Sequence, residues 1–343
     1  MKAIILVGGQ GTRLRPLTDH IPKNIVPLCG APFLHYPIAQ LKKAGVREIA
    51  FSVGYKPGAI RKVYGDGRRL GVRIHYALEK EPLGTGGAIK NAERFVKGSA
   101  VVVLNGDILT DLPLAKMIAF HRNKKSRATL GLVRVEDPTA YGLVLLDKQG
   151  RVTRFLEKPT RQQAVTDTIN AGVYLFEPSV FDLIPPKTPY SAERGLFPAL
   201  LESKAPFHGY VWDGYWQDIG TPRKYLTTHW DILQGAFPLP VGFRKKGKAY
   251  FGRGVKLAEG AKILGPAILG AGCVLEKGAR VGPFSVLGAG CRVGEKARIS
   301  KSVLWDGVKV GPSVELDEAI LGQKARADHS PEKGIVLGDL GRC

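Results

Sequence analysis

The stretch LVGGQGTRLRPLTDHIPK, Leu6 to Lys23, places three glycines, Arg13, Arg15 and Lys23 directly behind a short apolar run, Lys2 to Val7. Glycines let main-chain N–H groups come close to a ligand, and a guanidinium and an ammonium add fixed positive charge. That composition suits phosphate groups. Two familiar versions fail here. A dinucleotide fingerprint needs G-x-G-x-x-G and a carboxylate about 20 residues later, at the end of the second strand. Gly9-Gln10-Gly11 is followed instead by Thr12, Arg13 and Leu14, and the second strand ends FSVGYK with no acid. A P-loop needs G-K-[ST] after its second glycine, which is also missing.

Other groups capable of chemistry are sparse. Asp107 closes the run AVVVLNGD, which places a carboxylate at the C-terminal edge of a sheet, where α/β proteins bind ligands. Asp218 stands far away in YWQDIG. The seven histidines (His20, His35, His75, His121, His208, His229, His329) are dispersed. Cys29, Cys273, Cys291 and Cys343 have no CxxC spacing and read as free thiols in a reducing cytoplasm.

The elements that must position these groups alternate up to about residue 235. KAIILV precedes a helix around Phe33 to Ala44, then come EIAFSV (Glu48 to Val53), VRIHYALE (Val72 to Glu79), a helix within Thr85 to Val96, and AVVVLNGD. The β-rich runs ATLGLVRV, GLVLLD, RVTRFLEK and NAGVYLFE follow. This order predicts an α/β sheet, parallel in its first half, with runs such as VVVL covered on both faces. Residues 1–235 form one expected domain, and the proline, glycine and charge of 236–250 read as a linker.

Beyond the linker, Leu257, Ile263, Leu269, Leu275, Val281, Leu287, Val293 and Ile299 recur at every sixth position. Small residues stand two places before the later seven, from Ala261 to Ala297. After a one-residue shift the rhythm returns as Val308, Val314 and Ile320. Such regularity marks a repeat architecture rather than a helix of period 3.6. It resembles the hexapeptide repeats of left-handed parallel β-helices, expected over 251–326 with a tail over 327–343. Cys273 and Cys291 take small core positions in that pattern.

A length of 343 residues with 44% hydrophobic content supports two sizeable cores. No run of 18 apolar residues exists and the first strand starts at residue 2, so neither a membrane span nor a signal peptide is expected. The net charge of +21 suggests a polyanionic partner. The basic residues are spread along the chain, and the run FRKKGK lacks interleaved aromatics. A phosphorylated substrate is therefore favoured over nucleic acid.

The motif G-G-x-G-T-R-L-x-P-L-T…P-K over Gly8 to Lys23 resembles the signature of the sugar-1-phosphate nucleotidylyltransferases. EPLGTGGAI, LNGD, YGLV, FLEKP, NAGVYLF and YWQDIGTP match the same family in order. Together with the hexapeptide tail they cover nearly the whole chain. The mannose-1-phosphate guanylyltransferases share this layout, a Rossmann-like (GT-A-like) mixed-sheet nucleotidyltransferase domain followed by a short β-helix. Val7, where many members have alanine, departs from the pattern at a packing position.

The resemblance implies attack by a sugar-1-phosphate oxygen on the α-phosphorus of a nucleoside triphosphate, with release of pyrophosphate. It assigns Arg13 and Lys23 to the phosphates and Gly8, Gly9, Gly11, Thr12, Gly84 and Thr85 to the nucleotide. Asp107 and Asp218 are assigned to Mg²⁺, and Gly142, Glu157, Lys158 and Asn170 to the sugar phosphate. The β-helix is expected to mediate homo-oligomer formation. Glu79, just before the LGTGG loop, can accept from guanine N1–H and N2–H₂ together, which favours GTP, with mannose 1-phosphate as acceptor. Thymidylyl or uridylyl transfer to glucose 1-phosphate stays open, as does a non-catalytic regulatory role.

Overall fold

The computed structural model describes residues 1–239 and 242–343. Within the expected linker, residues 240 and 241 lie outside the described residues. The chain forms two compact units: Met1–Gly9 with Tyr36–Trp216, and Gln10–His35 with Gln217–Cys343. These units do not run consecutively along the chain, because the glycine-loop residues from Gln10 onward group with the C-terminal third.

In the first unit, strand Lys2–Leu6 lies between Glu48–Val53 and Val101–Asn105, parallel to both, and Arg73–Leu78 continues the parallel edge. On the other side Thr168–Phe176 pairs antiparallel with Val101–Asn105 and with Ala128–Arg134. The antiparallel pair Gly142–Leu146 and Val152–Glu157, together with Phe207–Trp212 lying parallel to Ala128–Arg134, completes the mixed sheet. The parallel first half predicted from the alternation is present. Ala3, Ile4 and Ile5, which alternate between the two faces of its central strand, are fully buried, so both faces are covered. One covering helix, Gly84–Val96, sets Ile89, Ala92 and Val96 against Ile4, Ala50 and Val103. Each such isoleucine or valine side chain contributes about 1.5–3 kcal/mol. The strand before Asp107 ends earlier than its apolar run suggested. It stops at Asn105, and Asp107 sits in the turn leading to Ile108–Thr110.

In the second unit, short parallel strands stack into three sheets, the arrangement of a left-handed β-helix. The core rows are Leu257–Leu275–Val293–Val310–Ala327, Ile263–Val281–Ile299–Leu316 and Leu269–Leu287–Leu304–Leu321–Leu337. The stack continues through Val336–Leu337, past the residue where the six-residue rhythm is last read. The register also corrects the shifted part of that rhythm. Lys309 pairs with Arg292 and Glu315 with Arg298, so Val308 and Val314 occupy the small-residue row behind Cys291 and Ala297. Ile320 lies in an outer row with Ile268, Val286 and Val303. The dropped residue falls at the corner Ser300–Lys301, which moves the aliphatic row to Leu304, Val310 and Leu316.

The outer faces of the three sheets differ. Two carry mostly cationic rows, Lys256–Val274–Arg292–Lys309–Arg326 and Lys262–Arg280–Arg298–Glu315. The third is apolar and buried at Ile268, Val286, Val303 and Ile320. Helix Pro222–Gln234 packs there: the Trp230 indole N–H donates to the Lys301 carbonyl at 3.2 Å, and Arg223 pairs with Glu318 at 2.8 Å. Thr221 caps the helix by accepting from the Lys224 N–H.

Candidate active site

The site residues expected from the sequence fall in both units. In the first, Gly8 and Gly9 follow strand Lys2–Leu6. A Cβ on Gly8 would lie 3.2 Å from Glu79 Oε1, whereas one on Gly9 would meet nothing within 4 Å. Among the described residues no packing calls for glycine at position 9, and that face of the loop is open. Glu79 is engaged at both oxygens: Ser52 Oγ is 3.0 Å from Oε1, and the Leu83 N–H donates to Oε2 at 3.3 Å. Gly84 and Thr85 open the helix Gly84–Val96, whose first N–H groups lack intrahelical acceptors and favour anions. The Thr85 hydroxyl donates to Glu193 at 2.6 Å and accepts from the Ala192 N–H at 2.8 Å. Thr85 thus offers a ligand its main chain rather than its hydroxyl hydrogen. Asp107 is half-buried in its turn.

Four residues expected at the sugar lie at or near strand ends of the same unit. Glu157 pairs in register with Gly142, where a side chain would come within 3.0 Å of Glu157 Oε2 and 2.5 Å of the Phe155 ring. Glycine at 142 leaves the space into which the carboxylate turns. Burial pushes the Glu157 carboxyl above the usual range, and Glu193 adds to this, while Lys158 and Arg194 oppose it. Lys158 takes a left-handed backbone (φ 50°) and its side chain is exposed. Asn170 sits in a bulge, its Nδ2 donating to the Tyr174 hydroxyl at 3.0 Å and its Oδ1 accepting from the Gly172 N–H at 3.0 Å.

In the second unit the loop closes on itself. Gly11 has φ 66°, and a Cβ there would lie 2.9 Å from Lys23 Cβ, so the two ends of the motif touch. Thr18 Oγ1 donates to the Gly11 carbonyl at 2.8 Å. Thr12 and Arg13 form a single 3₁₀ turn with Leu14, exposed at the first two positions and anchored by the buried leucine. Asp218 is buried at 8% exposure and is ion-paired with Lys224 through Oδ1. A Cβ on Gly220 would lie 2.8 Å from Asp218 Oδ2 and 3.1 Å from Arg13 Nη2. The sequence DIG therefore brings a carboxylate and a guanidinium together over a position with no side chain.

Asp107 in the first unit and Asp218 in the second are each a hard oxygen donor. Both offer oxygen, and among the described residues no group of three or more His, Cys, Asp or Glu side chains could hold a metal by itself. A lone carboxylate of this kind suits a divalent cation that takes most of its ligands from phosphate oxygens and water. Three neighbours escaped the sequence reading: Ser52, Glu193 and Lys224. Ser52 had a signal, a hydroxyl inside the apolar run EIAFSV. Glu193 and Lys224 carried none, because only the fold brings them to Thr85 and Asp218.

These features define a nucleotide-handling α/β protein, and comparison with known proteins places it: the chain belongs to the nucleotidyl transferase family, which residues 2–235 match. Residues 250–338 match the GMPPB C-terminal domain. A mannose-1-phosphate guanylyltransferase of Mycobacterium tuberculosis is 41% identical over 76% of this chain and 73% of its own length. The catalytic subunit beta of the Xenopus tropicalis mannose-1-phosphate guanylyltransferase is 40% identical over 66% of this chain and 63% of its own length. Among solved structures, HddC of Yersinia pseudotuberculosis complexed with GMP-PN is 32% identical with a TM-score of 0.57, covering 66% of this chain and 97% of that one. A putative glucose-1-phosphate thymidylyltransferase of Bacillus anthracis is 26% identical with a TM-score of 0.60, covering 66% and 93%. Members of this family generally use a divalent metal.

Proposed function

We propose that this protein transfers a guanylyl group from GTP to mannose 1-phosphate, giving GDP-mannose and pyrophosphate. One observation carries the reaction type: Arg13 and Asp218 converge at Gly220, in the unit that also holds Lys23. The particular substrates rest on the names of the relatives.

In the reaction a sugar-phosphate oxygen bonds to the α-phosphorus while the bond to the bridging oxygen breaks, and pyrophosphate leaves with that electron pair. The nucleophile is already charged near neutrality, since the second pKa of a phosphate is about 6. No side chain has to remove a proton, in keeping with the structural engagement of His121 by Thr129 and Glu177, and of His208 by Ser126. The burden is electrostatic. Arg13 forks onto triphosphate oxygens, and Lys23 neutralises charge at the α-phosphate. Asp107 and Asp218 would hold Mg²⁺, which supplies charge neutralisation on the phosphate oxygens when bound. Main-chain groups of Gly8, Gly9, Gly11, Thr12, Gly84 and Thr85 line the nucleotide.

Glu157 accepts from sugar hydroxyls, Lys158 pairs with the sugar phosphate, and Gly142 and Asn170 shape the pocket. Each carboxylate oxygen has two lone pairs, so Glu79 can meet a guanine edge while keeping Ser52 and Leu83. The same reading assigns transfer to residues 1–235 in a cytoplasmic homo-oligomer. The β-helix supplies the self-association, its first coil leaving Leu257 48% exposed. The test is pyrophosphate release from each NTP against a panel of sugar 1-phosphates, with Mg²⁺ and with EDTA. GTP with mannose 1-phosphate should be fastest and EDTA should stop it. No release from any pair would overturn the assignment.

A further inference from the structure

The β-helix touches the glycine loop's own segment, and nothing in the transfer chemistry yet uses that contact. Trp305, 4% exposed and one residue past the core Leu304, donates its indole N–H to the Tyr225 hydroxyl at 3.0 Å. Tyr225 is fully buried on helix Pro222–Gln234, and its hydroxyl donates in turn to the Pro27 carbonyl. Pro27 begins a tight hairpin in which Pro27–Leu28 pairs with Ala31–Pro32. The base of that hairpin is the 3₁₀ turn Lys23–Ile25, fixed by Phe33 N–H to the Val26 carbonyl at 3.0 Å and Leu34 N–H to the Asn24 carbonyl at 3.2 Å. A shift of the hairpin therefore moves Lys23.

Two further contacts hold the same segment. A Cβ on Gly338, in the final coil, would lie 3.2 Å from Pro16 Cβ, and one on Gly30 at the hairpin tip would lie 2.6 Å from the Phe243 ring. Residues beyond 222 thus hold the segment at several points, Cys29 Sγ to the His229 carbonyl at 3.9 Å among them, and the Trp305–Tyr225–Pro27 contact is a directional relay through the fully buried Tyr225 that links the β-helix to the hairpin. Buried relays of this kind lock one geometry because each polar group left unmatched is costly.

We propose that Trp305 and Tyr225 are positioning residues: the β-helix sets the position of Lys23 through the Trp305–Tyr225–Pro27 relay. This rests on the nucleotidyl-transfer reading for its catalytic consequence, but the relay itself can be measured without it. The test compares the full-length protein with Tyr225→Phe, Trp305→Phe and the double variant. Three readouts are taken: kcat and KM for both substrates, thermal unfolding, and amide hydrogen exchange over residues 11–34.

Expected are cooperative unfolding in all variants and faster exchange confined to 11–34. Each single variant should lose about tenfold in kcat, or about 1.4 kcal/mol, with KM for the sugar phosphate unchanged. The double variant should be no worse than Tyr225→Phe, because both remove one relay. Unchanged exchange in 11–34, or additive losses in the double variant, would overturn the relay. Faster exchange with wild-type kcat would overturn its role in positioning Lys23. If the unmodified protein releases no pyrophosphate yet the exchange pattern appears, the transfer reading fails while the relay is supported.

Discussion

The two units hold their site residues in different ways. In the first, Glu157, Gly142 and Asn170 sit on a sheet whose ladder fixes them, and Glu79 and Thr85 are tied to Ser52, Leu83 and Glu193. In the second, Arg13 and Lys23 sit on 3₁₀ turns rather than on strands, closed by the Gly11–Lys23 contact and braced by Tyr225, Phe243 and Gly338. A sheet edge imposes a shape on a sugar whose hydroxyls must be told apart. A braced loop can carry the long cationic side chains that a triphosphate needs and still admit a bulky ligand. Under the proposed function, the sheet side would govern recognition and the loop side rate.

That division can be broken most directly at Arg13 and Lys23. Arg13→Ala and Lys23→Ala should each lower kcat roughly 100-fold or more, about 3 kcal/mol, with little change in melting temperature. Steady-state pyrophosphate assays beside thermal melts check this, and a loss confined to KM would place both residues in binding alone. On the sheet side, Glu157→Gln should raise KM for the sugar phosphate about tenfold and leave kcat nearly intact.

The acid limb of that KM sharpens the comparison. Because burial and Glu193 raise the Glu157 carboxyl, it takes up its proton at a higher pH than an exposed glutamate as the solution is acidified. KM for the sugar phosphate should rise on acidification more steeply in the unmodified protein than in Glu157→Gln. Parallel profiles would leave the substrate's own titration as the whole cause.

A stability measurement isolates the second unit. Buried His229 is pushed down to about 4 from 6.5, mainly by desolvation, against the opposing pull of the Tyr225 and Pro27 carbonyls. As pH falls below 6.5 the unfolded chain gains a proton that the folded one refuses. Stability is therefore whole above 6.5 and is lost progressively down to about 4, by about 3 kcal/mol in all. Unfolding followed by Trp230 and Trp305 fluorescence should show this slope, and His229→Gln should flatten it. The smallest effect is expected at Glu79: Glu79→Gln should reduce the preference for GTP over the other triphosphates by a factor of a few, about 1 kcal/mol.

Much of this was legible in advance. Six-residue periodicity gave the β-helix because every sixth side chain must point into a narrow prism, and the apolar runs gave the strands because parallel sheets bury both faces. The shifted rows at Val308, Val314 and Ile320 misled because a one-residue corner deletion leaves aliphatic residues in both the small and the outer rows, and composition alone does not distinguish them. The Glu157–Gly142 pairing likewise depends on strand register, which a strand's composition does not encode.

The sequence by itself pointed to the reaction class, through the resemblance of Gly8 to Lys23 and of six later segments to the sugar-1-phosphate nucleotidylyltransferases. It also gave the expectation that no base–nucleophile constellation is needed, since the phosphate nucleophile is already charged. Only the tertiary structure decided that Arg13 meets Asp218 at Gly220, that Lys224 pairs with that aspartate, and that the loop's segment groups with the β-helix rather than with the sheet it follows in sequence. Local propensity acts over a few neighbours, whereas a hydrogen bond such as Trp305–Tyr225 joins residues 80 apart in the chain, and only the folded chain brings such partners together.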